Sequence, residues 1–265
     1  MKREPLPTRE LAALIEASEC RLLRGFLESA KRFRPDGGFD CLEIAGGLAT
    51  FTGVGSPLSQ ATSIALNDPV TGAEIEQLTR FYRDRGAPPR VWVNPLADPS
   101  LERELAGAAY VPRVRNNVLA VDLSTAAAAR DERIAEESDR TAWGRASYEG
   151  FSNRYLTGDE GIFLATTIAS QTGIVALAAR NGDAIVATGA LIVYEELASL
   201  IAGSTLDGHR GNGYHRAMVL DRLARAREAG ARYARASAPI GSTSEKNFRA
   251  CGFEVLYTRI LWELA

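Results

Sequence analysis

The sequence contains no run approaching the roughly 20 apolar residues that a membrane-spanning helix requires, so a helical membrane protein is not expected. Cysteine is scarce: Cys20, Cys41 and Cys251 are odd in number, widely spaced and form no CxxC pair. That argues against a disulfide framework or a cysteine zinc site and fits buried thiols in a reducing compartment. Histidine is scarcer still. The two, His209 and His215, have only Asp207 beside them as a further ligand type, so no metal is expected. A long basic block is also missing. Lys and Arg total 31 against 33 Asp and Glu, a formal net charge of −2, so neither nucleic acid nor a membrane is an expected partner. The start, MKREPLPTRELAALIEA, is charged and then amphipathic, unlike a secretory signal. Together these absences predict a cytoplasmic protein.

What is present is a globular composition. With 265 residues and 46% hydrophobic content, the chain has material for one large domain or two of ordinary size. In the first half, TRELAALIEASECRLLRGFLESA has helical spacing, while FDCLEIAGGLATFTG reads as a strand with a bulge or close approach at Gly46 and Gly47. SQATSIALND reads as another strand. Thr71 and Glu74 stand at capping-box spacing before a helix, IEQLTRFYRDRG. RVWVNPL is a short strand, SLERELAGAAY a helix ending near Gly107, and NNVLAVDL a strand. The alanine-rich LSTAAAARDE is taken as the connection, giving domains 1–125 and 126–265.

The second half repeats the theme. DERIAEES is a candidate strand and DRTAWGRASYEGF a helix; GIFLATTIASQTG carries a helix or helix-plus-strand signal that pattern alone does not resolve. Three apolar runs between Ile174 and Leu206, separated by Arg180-Asn181-Gly182-Asp183 and by Tyr194-Glu195-Glu196, predict an antiparallel meander with an Asn-Gly hairpin turn. RYARASAP is a strand, STSEKNFRACG a short helix with Ser242 and Glu245 at capping-box spacing, and FEVLYTRILWEL a closing strand. The fold class is a mixed α/β (α+β) sheet flanked by helices.

Between meander and strand lies LDGHRGNGYHRA, followed by an amphipathic helix with Met218, Val219, Leu220, Leu223, Ala224 and Ala226 on or near one face. Arg216, Arg222, Arg225 and Glu228 fall largely on the other. Gly211 and Gly213 alone fit a plain turn before a surface helix. They equally fit an anion site, because a glycine loop opening a helix presents unpaired N–H groups and partial positive charge. A dinucleotide G-x-G-x-x-G would need glycine where Arg216 stands, and no lysine follows to make a phosphate loop of the G-x-x-x-x-G-K type.

The remaining pattern, R-x-x-G-x-G/A after an apolar strand and before a long helix, resembles that of the GNAT superfamily of acetyl-CoA-dependent acyltransferases. Here it runs Arg210, Gly211, Asn212, Gly213, Tyr214, His215, with His215 where the family prefers glycine or alanine. SEKNFRACGFEVLYTR is similar to the family's closing helix, Gly-Phe and final strand. The resemblance implies two GNAT-like mixed sheets, of which the first has no paired-glycine loop: after SQATSIAL comes NDPVTGAEIEQL. Only the second then carries acetyl-CoA, as in tandem members with a degenerate N-terminal copy. It implies further that loop amides hold the CoA diphosphate, that the backbone of Gly203, Ser204 and Thr205 holds the pantetheine arm, and that Asn247 contacts CoA. One strand amide would face the thioester oxygen.

Catalytic groups are less plain. The family's tyrosine, four residues before the closing glycine, is here Phe248, which cannot protonate a thiolate. Tyr257 and Ser204 are substitute candidates for the acid, and Glu195, Glu196 and Asp207 for the base. The expected activity is N-acetyl transfer to an amine, of a small molecule or a protein, by direct attack. The alternative is an acyl-CoA-binding or scaffold protein without catalysis. Nothing in the sequence names the acceptor or the oligomeric state.

Overall fold

The computed structural model describes residues 8–151 and 157–265. It divides into two compact units, and the division differs from the expected 1–125 and 126–265. The N-terminal unit is Thr8–Asn117 together with Tyr257–Ala265; the C-terminal unit contains Val118–Leu256.

In the N-terminal unit the long first helix, α1 (Thr8–Phe33), buries Leu11, Ala12, Ile15, Leu23, Phe26 and Leu27. The segment expected as one strand is instead a hairpin of β1 (Asp40–Ile44) and β2 (Gly47–Phe51). Ala45 and Gly46, with φ of 45° and 74°, form its two-residue turn, since left-handed φ at both central positions matches the strand twist. Gly47 is there for a close approach: a Cβ would lie 2.5 Å from the carbonyl oxygen of Thr62. SQATSIALND contributes only the short β3 (Gln60–Thr62). α2 (Gly72–Arg83) begins at the expected reciprocal capping box of Thr71 and Glu74, followed by β4 (Arg90–Val93) and α3 (Ser100–Gly107). The strands of this unit run in the order β1-β2-β3-β4-β11, where β11 is Glu254–Leu264. β11 pairs antiparallel with β4, Ile260 opposite Val93 and Glu263 opposite Arg90.

β5 (Tyr110–Asp122) leads into the C-terminal unit, where its strand order is β5-β10-β9-β8-β7-β6. β6 (Ile134–Glu136) precedes α4 (Arg140–Gly150), capped by Asp139, and the unresolved GIFLATTIASQTG signal proves to be the helix α5 (Gly158–Ala169). β7 (Val175–Asn181), β8 (Ala184–Tyr194) and β9 (Leu197–Thr205) are the expected meander. The first turn is Gly182-Asp183 rather than Asn-Gly, because Asn181 pairs with Ala184; Gly182 takes φ 60°, as a glycine-first turn requires. α6 (Tyr214–Glu228), β10 (Tyr233–Pro239) and α7 (Thr243–Ala250) complete the unit with the start of β11.

Alternation along β9 assigns the layers. At Gly203 a Cβ would face Arg222 of α6, whereas the next side chain, Ser204, faces Gly150 of α4. Helices α6 and α4 therefore cover opposite faces. On the α6 face, Leu191, Leu200, Val219, Leu223, Phe248 and Phe253 belong to one buried cluster. On the α4 face, Trp143 is fully buried and its indole N–H donates to the carbonyl of Leu177 at 2.8 Å. One expectation fails on α6 itself. Arg222 is not on a solvated face: it and Asp221 are buried with Met218, Val219 and Leu223, because a helix against two strands buries more than a narrow stripe.

Candidate active site

The site is built where β9 loses its regular partners on both sides. Against β8, Ala190 pairs with Ile201 but Thr188 pairs with Ser204, so Gly189 alone faces Ala202 and Gly203. This is a β-bulge, with Ala202 held at φ 48°, and such an insertion bends a strand and re-aims its groups. Against β10, parallel pairing runs from Leu197/Tyr233 to Ser199/Arg235 and no further. A buried hydrogen bond, Arg235 Nε to Ser199 Oγ at 2.8 Å, clasps the last pair. Beyond it the two strands make no further pairs among the described residues. Ile201, Ala202 and Gly203 are half-buried in a strand whose other residues are buried.

Past Thr205 the chain makes a 3-10 turn, Asp207–His209, and enters the glycine loop. Gly211 and Gly213 have φ of 81° and 78°, and the space where their Cβ atoms would stand is open. Among the described residues, the next backbone N–H after that of Arg210 to donate to a backbone carbonyl is Ala217, to Gly213 at 3.0 Å. The N–H groups from Gly211 to Arg216, at and just before the N-terminus of a 15-residue helix, thus have no backbone acceptor among the described residues. That is the donor set a diphosphate needs, with the helix dipole adding to it. The residues present fit the diphosphate of CoA.

Side chains in the loop serve mainly to hold it. Arg210 is turned inward: its guanidinium donates to the carbonyls of Thr205 (3.2 Å) and Gly150 (3.1 Å) and pairs with Asp207 at 2.6 Å. Asn212 Nδ2 lies 3.3 Å from the carbonyl of His209. Tyr214 packs edge-on to His209, with the Arg133 guanidinium 5.2 Å from its ring centre. His215 meets Phe248 edge-to-face at 5.7 Å, and Phe248 meets Phe253 at 5.1 Å. The two departures from the family pattern thus contact each other. Burial, reinforced by the Arg222 guanidinium, lowers His215 from 6.5 to about 4, leaving a neutral imidazole. Its Nδ1 is buried without a hydrogen-bond partner among the described residues. Asn247 is half-buried on α7 and its carbonyl accepts from Cys251 N at 3.2 Å.

The structure does not bring the acid–base candidates together. Ser204 is engaged on the α4 face, 2.8 Å from Thr188 Oγ1. Tyr257 belongs to the N-terminal unit, where its hydroxyl donates to Glu16 at 2.6 Å. Burial and the Glu16 carboxylate push its phenol far up. Glu195 and Glu196 form the exposed turn before Leu197, some 20 Å from the bulge at about 3.3 Å per strand residue. Asp207 is paired with Arg210. Three features were missed in the sequence: the bulge, the Ser199–Arg235 clasp and the buried Arg222. Only Arg222 left a trace, standing four residues after Met218 and so on the same helical stripe. Among the described residues no group of His, Cys, Asp or Glu is arranged to hold a metal, and no helix is long and apolar enough to cross a membrane.

No protein-family model matches the sequence, and no curated protein matches it. Solved structures do. A GCN5-related N-acetyltransferase from Kribbella flavida is similar with a TM-score of 0.65 at 17% identity, over 92% of this chain and 94% of that one. An acetyltransferase of the GNAT family from Colwellia psychrerythraea has a TM-score of 0.55 at 14% identity, over 100% and 99%. At such identities the likeness is one of fold, and the chain has the GNAT fold. A tandem GNAT protein from the clavulanic acid biosynthesis pathway is similar as well, with a TM-score of 0.60 at 15% identity, over 91% of this chain and 88% of that one.

Proposed function

We propose that this chain is an N-acetyltransferase that moves an acetyl group from acetyl-CoA to an amine acceptor by direct attack in a ternary complex. One observation carries the reading: the N–H groups from Gly211 to Arg216, which have no backbone acceptor among the described residues, follow a strand that is bulged against β8 and paired with β10 only as far as Ser199. Acetyl-CoA supplies an activated thioester. The loop amides bind its diphosphate, Arg210 braces the loop from within, and the backbone of Gly203, Ser204 and Thr205 lines the pantetheine arm. An amide of the bulge stabilises the oxygen that becomes negative when the amine attacks. The C–N bond forms, the C–S bond breaks, the amine loses a proton and the thiolate gains one. Since Phe248 has no proton to give, solvent supplies it; a missing general acid typically costs about 10² to 10⁴ in rate, while positioning still accelerates the transfer.

Phe248 also favours a second reading, acyl-CoA binding without transfer. Calorimetric titration with acetyl-CoA, followed by thiol release with a panel of polyamines, aminoglycosides and lysyl peptides, separates the two. The control is the Gly211→Asp/Gly213→Asp variant. A carboxylate about 6 Å from a phosphate repels it by roughly 3 kcal/mol at an effective dielectric constant near 20, so affinity should fall more than about 100-fold. A folded wild type that binds no acetyl-CoA sinks both readings. Binding without release from any amine favours the second.

A further inference from the structure

Arg222 is 1% exposed, and its guanidinium is occupied by backbone rather than by charge. Nε donates to the carbonyl of Met218 at 3.1 Å, and Nη1 to those of Ala190 at 3.2 Å and Ile201 at 3.1 Å. Nη2 is buried with no hydrogen-bond partner among the described residues. Among the described residues no carboxylate pairs with it; Asp221, its sequence neighbour, is turned to Arg130 and Arg225. Burial lowers it to about 10, so it is a cation at neutral pH. A buried cation without a counter-charge is costly, and an apolar side chain would fill the same space at less cost.

Two glycines accommodate it. A Cβ at Gly189 would lie 3.2 Å from Arg222 Cζ, and one at Gly203 3.2 Å from Nη2. These glycines stand on either strand of the bulge. Ala190 and Ile201, whose carbonyls Nη1 bridges, are the last regular pair before it. The cation is therefore centred on the point where β9 changes register.

We infer that Arg222 is a positioning residue, which pins the Ile201 carbonyl over β8 and so aims the Ala202 N–H at the thioester oxygen. No peptide bond among the described residues is cis, and across a trans peptide the carbonyl and the following N–H point oppositely. With the Ile201 carbonyl held beside that of Ala190, the Ala202 N–H is turned from β8 toward the parted edge. The charge-assisted hydrogen bond also polarises the peptide and strengthens its N–H as a donor. An apolar residue at position 222 does neither. The inference rests on the acetyl-CoA reading above.

The test uses the full chain, acetyl-CoA and S-ethyl-CoA, a thioether in which a methylene replaces the thioester carbonyl. The wild type should bind acetyl-CoA about three- to tenfold more tightly, the worth of one hydrogen bond. Arg222→Met should bring that ratio to about one while S-ethyl-CoA affinity stays within about twofold; Arg222→Lys, which keeps the cation, should retain part of the preference and serves if the methionine variant does not fold. A ratio unchanged in Arg222→Met, or equal loss of affinity for both ligands, overturns the inference and leaves the CoA reading standing. A wild type that binds neither ligand removes the CoA reading, and the inference with it.

Discussion

His215→Phe offers a test of how the α6–α7 contact is built. In the native protein the imidazole is held neutral, with its pKa lowered by burial to about 4 from the ordinary 6.5. In the unfolded chain it titrates near 6.5. Between those values the unfolded chain binds a proton that the native protein does not, so unfolding gains as the solution acidifies. The stability at stake is fully present above pH 6.5 and is lost as pH falls toward 4. Its size is on the order of 3 kcal/mol. Phenylalanine keeps the aromatic contact with Phe248, cannot titrate, and removes the buried Nδ1 that has no partner. At pH 7.5 the variant should melt at or slightly above the wild-type temperature. Between pH 7.5 and 4.5 the wild type should lose about 5–10 °C more than the variant. Groups common to both proteins cancel in the subtraction. Parallel melting curves across that range would refute the reasoning and mean that His215 is solvated or finds a proton acceptor on folding.

Tyr257→Phe removes a donor to Glu16, a buried carboxylate that also accepts from Ser63 and Asn94. It should lower stability by about 1.5–3 kcal/mol in a urea titration and leave acetyl transfer unchanged. A fall of 100-fold or more in transfer at unchanged stability would instead make Tyr257 the missing acid. Gly150→Ala places a Cβ 2.4 Å from Ser204 Oγ and 2.8 Å from its Cβ, an overpacking cost of about 1–3 kcal/mol. Because Arg210 is anchored on the Gly150 carbonyl, acetyl-CoA affinity should fall as well; a denaturation midpoint and a Kd unaltered from wild type would count against the described loop support.

What the sequence made legible follows from which signals are local. The Thr71–Glu74 box, the meander and the glycine loop are set by residues a few positions apart, and each stands where it was expected. The Ala45-Gly46 turn was not expected because Gly46 and Gly47 fit a bulge within one strand equally well, and β2 is buried throughout, so no polar alternation marks the change of face between Ile44 and Gly47. The bulge was invisible for a different reason: one extra residue on β9 changes no residue type, and only the partner strand reveals that Gly189 faces two positions. Arg222 was misplaced by its charge, though its spacing from Met218 argued for burial. The exchange of β11 could not be read at all, since alternating apolar residues mark a strand without saying which strand it joins.

That exchange bears on synthesis. The N-terminal unit takes residues 257–265 from the far side of the chain, so its β4 edge stays bare and Glu16 lacks one of its donors until those residues have left the ribosome. The contacts concerned span more than 160 residues, as between Val93 and Ile260, and closures of that length slow folding. The half that emerges first is thus the half that finishes last, and its nascent form must wait with an unpaired strand edge, the kind of surface on which chaperones act and aggregation begins.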